Sequence, residues 1–414
     1  MDPQRLVTDL HRRHYRELLA PLIRILRSFE DAEDIVQDVF AEALRVWSER
    51  GVPDEPVAWL RRVTKNRAID RYRRRRRWET KEQILRASAE DHVEMALGEE
   101  TLEDDALRLI FTCCHPAVAP EARIALTLRT VCGLTTDEVA RSFLIKSTTL
   151  QQRIVRAKRK IDVAKIPYII PEGDALGERM PSVLRTIYLV FNEGYGATGG
   201  DELVRRELCE EGIRLGRLLV QLMPARREPK GLLALMLLHH SRRLARTDEH
   251  GDLVTLEAQD RSRWDHSLID EALPLVRESL SSGRFAPTPV STYAIEAAIA
   301  ALHAQAKTAE ATDWPQIAAL YAVLVQRSPG NAVVQLNAAV AVAMAGNFEE
   351  GLRRLDVLAA EGTLGRYHLL HAARADLLRR MGRAEESREA FEEALRLATN
   401  EVEIRFLQRR LANA

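Results

Sequence analysis

The chain has 414 residues, which is long for one ordinary domain and indicates two to four of them. Apolar residues make up 46% and aromatic residues only 5%, a composition typical of packed helices and unlike that of sheet proteins. The charges of the 61 basic and 61 acidic residues cancel, which argues against a uniformly basic protein that coats nucleic acid.

No apolar run approaches the roughly 18 residues of a membrane span. Because the N-terminus is charged and unlike a signal peptide, we expect a cytoplasmic protein without a membrane partner.

Two amphipathic helices open the chain, one from Leu6 to Ser28 and one from Glu30 to Trp47. The second repeats apolar residues at helical spacing and should bury them: Ile35, Val39, Ala43 and Val46. Its other face is acidic and should be exposed, with Asp34, Gln37, Asp38 and Glu42. On an isolated helix, such a face usually indicates simple solvation.

The third helix, from about Pro56 into the run Arg73–Arg77, combines basic, aromatic and amide side chains. From residue 61 to 77 there are ten basic residues and one acid. A solvated helix has no need of Trp59 and Asn66 among so many arginines, whereas unstacked bases require an aromatic platform with cations beside it. We therefore predict a nucleic-acid face made of Trp59, Asn66, Arg67, Asp70, Arg71 and Arg74.

An acidic segment follows, with ten acidic and two basic residues from residue 78 to 106, and we interpret residues 78–100 as a linker.

Beyond it, Cys113, Cys114 and His115 raise the question of a metal site. Their spacing matches no common zinc pattern, which favours reduced, buried cysteines. The sequence contains no nucleophile triad and no phosphate-binding loop. We accordingly expect no cofactor, no metal, no catalytic residue and no enzymatic activity.

Residues 132–161 have the pattern of a helix-turn-helix. Gly133 ends one helix, Thr135 and Glu138 suit a capping box for the next, and Ser147 or Thr148 is expected to cap the last. The last helix should bury Leu150, Ile154, Ala157 and Ile161, with Phe143 in the core of the motif. Its outer face begins with side chains of the types that bind adenine and guanine in the major groove and continues with basic side chains suited to phosphate. The residues of this face are Thr149, Gln151, Gln152, Arg153 and Arg156. A plain helical hairpin with a basic surface is the alternative.

Three blocks in this order resemble one family: DAEDIVQDVF from Asp31, WLRRVTKNRAIDRYRR from Trp59 and GLTTDEVARSFLIKSTTLQQRIVRAKRKI from Gly133. They are similar to regions 2 and 4 of the extracytoplasmic-function (ECF) group of bacterial sigma-70-type factors. The resemblance covers about residues 5–165. It departs from the general pattern at Thr148, Gln151 and Gln152, so the promoter sequence of a better-known member does not transfer.

The resemblance implies two partners, core RNA polymerase and promoter DNA. It implies that Asp34, Gln37, Asp38 and Phe40 dock on the clamp helices of the largest polymerase subunit. The third helix would hold the −10 element through Trp59, Asn66, Arg67, Asp70, Arg71 and Arg74. The last helix of the helix-turn-helix would read the −35 element through Thr149, Gln151, Gln152, Arg153 and Arg156. Ordinary members of the group end near residues 165–190, whereas this chain continues.

The C-terminal half carries a weak repeat from Asp313. Tyr321, Leu355 and Phe391 recur at spacings of 34 and 36, and matching turns begin at Gly346 and Gly382. This period resembles tetratricopeptide repeats, whose concave face binds a peptide or protein. The expected architecture is all-α, with region 2 at 1–77, the acidic linker at 78–100, region 4 at 101–165, a linker at 166–180, a helical extension at 181–310 and repeats at 311–414.

Two other functions stay open from the residues alone. A helix-turn-helix regulator with a repeat-based sensor, not a polymerase subunit, would need only residues 132–161 and the C-terminal half. It would leave the acidic and aromatic helices before Tyr72 unexplained. An enzyme in the C-terminal half would need clustered acids or bases. Only two segments offer polar clusters there, Asn192–Tyr195 and the stretch with Asp260, Arg261 and Trp264.

Overall fold

The computed structural model describes residues 3–77, 102–143, 145–195, 206–249, 251–281 and 290–412. These residues form eighteen α-helices and three short 3-10 helices, with no β-strand among them. The predicted all-α fold is confirmed. The chain divides into two compact units, Met1–Val190 and Phe191–Ala414.

The first unit contains α1 (Pro3–Leu26), α2 (Phe29–Arg50), α3 (Pro56–Arg77), α4 (Leu102–Cys113), α5 (Pro120–Thr130), α6 (Thr136–Ser142), α7 (Ser147–Val163) and most of α8 (Gly173–Tyr195). The start of α8 lies inside residues 166–180, so the connecting stretch is shorter than the expected linker. The acidic linker expected at 78–100 lies outside the described residues.

The second unit contains α9 (Arg206–Leu222), α10 (Glu228–Ser241), α11 (His266–Leu280), α12 (Thr292–Gln305), α13 (Trp314–Arg327), α14 (Ala332–Met344), α15 (Phe348–Ala360), α16 (His368–Arg380), α17 (Ala384–Leu397) and α18 (Glu401–Ala412). The 3-10 helices Arg243–Ala245, Leu256–Ala258 and Arg261–Arg263 lie between α10 and α11.

Helix α2 buries the apolar stripe that its spacing predicts, with one exception. Ile35, Val39 and Ala43 are buried, whereas Val46 is half-buried. Trp47 occupies the next core position, because it lies four residues after Ala43 and therefore one turn further along the same stripe. Gly51 then ends the helix at a φ of +85°, a conformation that glycine adopts without a steric penalty.

A buried carboxylate joins α1 to α4 in the first unit. Asp105 has no exposed surface, and its Oδ1 accepts from Arg24 Nε (2.7 Å) and Arg108 Nη1 (2.8 Å). Close by, the single Tyr168 hydroxyl hydrogen is shared between the carbonyl oxygens of Ala20 (3.1 Å) and Asp105 (3.0 Å). The helices assigned by resemblance to regions 2 and 4 therefore pack directly together here.

Helix α10 packs against α9, α11 and α12 in the second unit. Residues Leu232 to Leu238 are all at most 2% exposed, as expected for a core helix. Gly231 lets α12 approach closely, because a Cβ at that position would lie 2.9 Å from the backbone nitrogen of Ala294. In the described part of the chain, no helix is both long and apolar enough to cross a membrane.

From α13 onward, helices of similar length follow one another in succession. Leu355 and Phe391, two of the three repeat positions, are buried, and Tyr321 is half-buried. The turns before α15 and α17 match in conformation, since Gly346 and Gly382 both have positive φ, +105° and +75°. Each of these turns joins two helices of 13 or 14 residues, α14 to α15 and α16 to α17.

Glu296 on α12 makes the stability of the second unit depend on pH. Its neighbours Ile295 and Ile299 belong to an apolar cluster, and burial raises the pKa of Glu296 from 4.5 to about 7. The folded state therefore holds this proton more tightly than the unfolded chain, so protonation stabilises the fold below pH 4.5. That contribution is lost as the pH rises to about 7, and it amounts to roughly 3 kcal/mol at most.

We expect Glu296→Gln to remove this part of the pH dependence, because the amide is neutral at every pH. The variant should match the wild type near pH 4.5 and be more stable at pH 8, as measured by urea denaturation of the full chain at both values. Glu349→Gln, at an exposed position on α15, is the matched control. A stability difference between Glu296→Gln and wild type that is equal at both pH values would contradict the assignment.

Candidate polymerase and nucleic-acid interface

The outer face of α2 presents three of the four residues predicted to dock on polymerase. Asp34, Gln37 and Asp38 are exposed. Phe40 is only 6% exposed, and its ring meets His11 edge-on at 4.8 Å between centroids. The side chain of Phe40 is thus part of the core, where it fixes α2 against α1, and in this conformation it is not available to a partner.

Ion pairs connect the acidic face of α2 to the basic face of α3. Arg67 reaches Asp38 and Glu42, each at 2.7 Å. Arg71 lies 3.3 Å from Asp31 and 3.5 Å from Asp34. Exposed pairs of this kind contribute about 0–1 kcal/mol each, because water screens them and ordering long side chains costs entropy. The faces predicted for polymerase and for the −10 element therefore share their charged side chains.

Helix α3 exposes part of its predicted nucleic-acid face. Asn66, Asp70 and Arg74 are exposed. Trp59 is half-buried, and its ring meets that of Trp47 at 5.4 Å in an edge-on arrangement. The indole is held in place by the core while part of its surface stays open, which suits a stacking platform. The side chains of Arg75–Arg77 lie outside the described residues.

Helices α6 and α7 form the predicted helix-turn-helix, and α7 buries all four residues of its apolar stripe. The start of α7 differs from prediction, because Lys146 occupies the N-cap position and provides no side-chain cap. Ser147 is the first helical residue, and its hydroxyl donates to Asp137 Oδ1 at 2.5 Å, so it joins the two helices. Phe143 is half-buried, and Leu144 and the Glu138 side chain lie outside the described residues.

The outer face of α7 is basic and uncompensated. Thr149, Gln151, Gln152 and Arg156 are exposed, and Arg153 is half-buried. Within the described residues, none of the following forms an ion pair, in contrast to Arg67 and Arg71 on α3: Arg153, Arg156, Arg159 and Lys160. The helix begins with amide side chains and continues with basic side chains that have no ion pair among the described residues. Such a face is suited to contact nucleobase edges and phosphates in a DNA major groove.

On the inner side of α7, Lys158 pairs with the nearly buried Glu33 of α2. Sequence reasoning missed this contact and the one between Arg24 and Asp105, because each joins residues more than 80 positions apart. Lys158 lies in a basic stretch of the sequence and Glu33 in an acidic one, so neither stretch indicates that the two residues pair.

The four cysteines are free and buried. Cys113 Sγ lies 3.1 Å from Thr130 Oγ1, and Cys114 Sγ lies 3.6 Å from Thr127 Oγ1. Burial raises the pKa of the Cys113 and Cys114 thiols, which keeps both in the weakly reactive protonated form. In the described ranges, no group of three or more His, Cys, Asp or Glu side chains is arranged to hold a metal.

Comparison with known families divides the chain into three matched segments. Residues 10–78 match sigma-70 region 2, and residues 108–161 match sigma-70 region 4. Residues 179–280 match a family of unknown function (DUF6596). No solved structure gives a significant match.

Relatives agree with these matches. An uncharacterized protein of Rhizobium meliloti is 42% identical over 400 residues, which is 95% of this chain and 92% of the relative. The ECF RNA polymerase sigma factor SigE of Mycolicibacterium smegmatis is 28% identical over 156 residues, 37% of this chain and 59% of that protein. The RNA polymerase sigma-H factor of Pseudomonas aeruginosa is 24% identical over 163 residues, 38% and 84% of the two chains.

Both sigma-70 regions are matched, and they coincide with the two helical modules whose outer faces carry the predicted sites. The chain therefore belongs to the sigma-70 family, the non-enzymatic transcription initiation factors that bind core RNA polymerase and promoter DNA, as an ECF-type member with a C-terminal extension.

Proposed function

We propose that this sigma factor uses α2 to dock on the clamp helices of the largest polymerase subunit, α3 to hold the −10 element and α7 to read the −35 element. We further propose that residues beyond α8 regulate these activities. The observation that carries the proposal is the outer face of α7, where amide side chains and arginines without an ion pair to any described residue lie opposite a fully buried apolar stripe.

Docking on polymerase would use Asp34, Gln37 and Asp38, with Phe40 holding α2 in position from the core. A basic partner can replace Arg67 and Arg71 at these carboxylates at little cost, because the exposed pairs are weak. The released guanidinium groups would then be available to the phosphates of the −10 element. Polymerase binding would in this way favour DNA binding on the neighbouring helix.

The −10 element would be held on α3 as unstacked bases. The open part of the Trp59 ring offers a surface for stacking, and Asn66 offers an amide for a base edge. Asp70 and Arg74 flank the same exposed face. The arginines position the strand through its phosphates and add no sequence information of their own.

Reading of the −35 element would rest on the first turns of α7. Gln151, Gln152 and Arg153 are the residue types that make paired hydrogen bonds to adenine and guanine. Arg156 lies one turn further along, where the helix meets the phosphate backbone. Thr149 is the first residue of this face, and its side chain can contact a thymine methyl group or a phosphate.

The regulatory role proposed for the second unit rests on its size and on its helical hairpins. In this proposal residues 181–310 form a helical extension and residues 311–414 form tetratricopeptide-like repeats that bind a protein or peptide. Exposed apolar side chains on the hairpins, among them Val333, Val357 and Leu369, supply contact surface for such a partner.

Run-off transcription with core polymerase, followed by mapping of start sites on genomic DNA, tests the proposal. We expect start sites that core polymerase alone does not produce. A chain that ends after Tyr195 keeps α8 whole, and its transcript level or polymerase affinity should differ at least fivefold from that of the full chain. Equal activity of both chains would contradict the regulatory role. DNA binding without new start sites would favour a free-standing helix-turn-helix regulator.

A further inference from the structure

We propose that the second unit binds a small organic anion, with Arg246 as the residue that receives its charged group. The site is a cavity of about 840 Å³ between the end of α8, the segment after α10 and helices α14, α16 and α18. This volume lies in the range of small-molecule sites. Binding there requires neither polymerase nor DNA, so the inference does not depend on the proposed function.

One wall of the cavity is apolar and the others are polar. Its apolar lining consists of Val333, Leu336 and Val340 of α14 together with Phe391 and Phe406 of the last two helices. Such a wall takes the hydrocarbon or aromatic body of a ligand and removes it from water. Asn192 and Asn337 also line the cavity, and their amides can orient polar groups on that body. Asn400 lines it too, but its Oδ1 already accepts from the backbone nitrogens of Val402 and Glu403 at the start of α18.

Most charged groups on the polar walls already neutralise one another. Asp376 lies 2.7 Å from Arg380 Nε and also pairs with Arg410, while Arg380 reaches Glu257 as well. His368 Nε2 lies 3.1 Å from Glu403. Asp376, Arg380, Arg410 and Glu257 form a closed network of ion pairs, and a ligand charge near them would have to displace an existing partner. Glu403 is neutralised by His368 only while the imidazole is protonated.

Arg246 is different, because no carboxylate among the described residues forms an ion pair with it. Its guanidinium lies over the ring of Tyr195, 3.9 Å from the centroid, and donates to the Tyr195 carbonyl oxygen. Desolvation by the surrounding protein lowers the pKa of Arg246, and the nearby groups Tyr195, Cys209 and Glu403 offset this effect only in part. A half-buried, unpaired guanidinium beside a cavity favours an anion, which it can bind through two parallel hydrogen bonds.

The aromatic residues around Arg246 come from the two polar segments to which the sequence assigned no role, Asn192–Tyr195 and the stretch that contains Trp264. Tyr195, at the end of the segment from Asn192, stacks on Phe191 at 5.7 Å and accepts at its hydroxyl from Arg242 Nη2 at 3.0 Å. Arg242 in turn faces the ring of the buried Trp264, 6.0 Å from its centroid. Tyr195 is thus tied to Arg242 and Trp264, and Arg246 packs on the same Tyr195 ring at the cavity lining.

The ligand class follows from these features. One unpaired guanidinium beside an apolar wall fits a carboxylate, sulfonate or phosphate monoester with an apolar or aromatic body. The neutralised polar walls disfavour a second ligand charge. The natural ligand would belong to this chemical class.

The probe is 8-anilinonaphthalene-1-sulfonate, an aromatic anion, and its comparison is the uncharged N-phenyl-1-naphthylamine. Both report binding by fluorescence, and the full chain is used. We expect Arg246→Gln to weaken binding of the sulfonate at least tenfold and to change binding of the amine less than twofold. Arg396→Gln, at an exposed arginine of α17, should leave both unchanged.

Two further measurements keep the test decisive if Arg246→Gln fails to fold, as judged by circular dichroism. On wild-type protein, naphthalene-1-sulfonate should displace the bound probe, whereas 1-naphthalenemethanol at the same concentration should not. Val340→Trp places a bulky side chain on the cavity lining and should abolish binding of both probes. The inference is overturned if sulfonate binding survives either substitution in a folded chain, or if the charged and uncharged competitors act equally.

Discussion

Arg156→Glu is expected to reduce promoter-dependent transcription about a hundredfold. Arg156 is exposed on α7 and forms no ion pair within the described residues, so its substitution leaves the fold intact. A lost phosphate or base contact is worth about 1–3 kcal/mol, and the new carboxylate adds repulsion from the DNA backbone. Together these effects amount to roughly 3 kcal/mol, which corresponds to the hundredfold loss. Run-off transcription from a mapped promoter at fixed salt measures it.

Two controls separate DNA recognition from other defects. Arg13→Glu changes an exposed arginine on α1, outside every proposed contact surface, and should keep near wild-type activity. Arg156→Ala should make the negative slope of log affinity for DNA against log salt concentration shallower by about 1, as expected for the loss of one phosphate contact. Full activity of Arg156→Glu in a chain that still binds core polymerase would show that α7 does not read promoter DNA.

Asp105→Ala is expected to lower the free energy of unfolding of the first unit by about 3–5 kcal/mol. The substitution leaves Arg24 and Arg108 without their shared carboxylate, and removal of one partner from a buried ion pair costs this much. Asp105 is fully buried, whereas the Arg24 and Arg108 side chains are 29% and 24% exposed, so water solvates the freed guanidinium groups in part and the loss should lie near the lower end of this range. Because α1 and α4 meet at this carboxylate, the contact between the two DNA-binding modules should loosen first.

Hydrogen exchange of α1 and α4 amides in the full chain is the appropriate measurement, since a chain with two units need not unfold in one step. Glu49→Ala is the control, because Glu49 forms an exposed pair with Arg45 at 3.3 Å and its loss should cost less than about 1 kcal/mol. If Asp105→Ala changed protection no more than Glu49→Ala does, the network would not stabilise the first unit.

The sequence predicted the helical faces well wherever periodicity was strong. All four predicted core residues of α7 and three of four on α2 are buried. The reason is physical, because an apolar stripe on a helix has to leave water whatever it packs against. The misses were local. Phe40 turned out to be core because α1 covers it, and α7 begins at Ser147 because Ser147 bonds to Asp137 on the preceding helix.

The sequence by itself determined that the chain is helical, where its apolar stripes lie and which residue types stand on the outer faces of α2, α3 and α7. These properties depend on spacing within single helices. Only the tertiary structure decided which charges are paired. It pairs Asp38 with Arg67 and buries Asp105 between two arginines, and among the residues that the structure describes it gives Arg156 and Arg246 no ion pair. Ion pairing depends on distances of a few ångströms between residues far apart in the chain, and no local pattern specifies those distances.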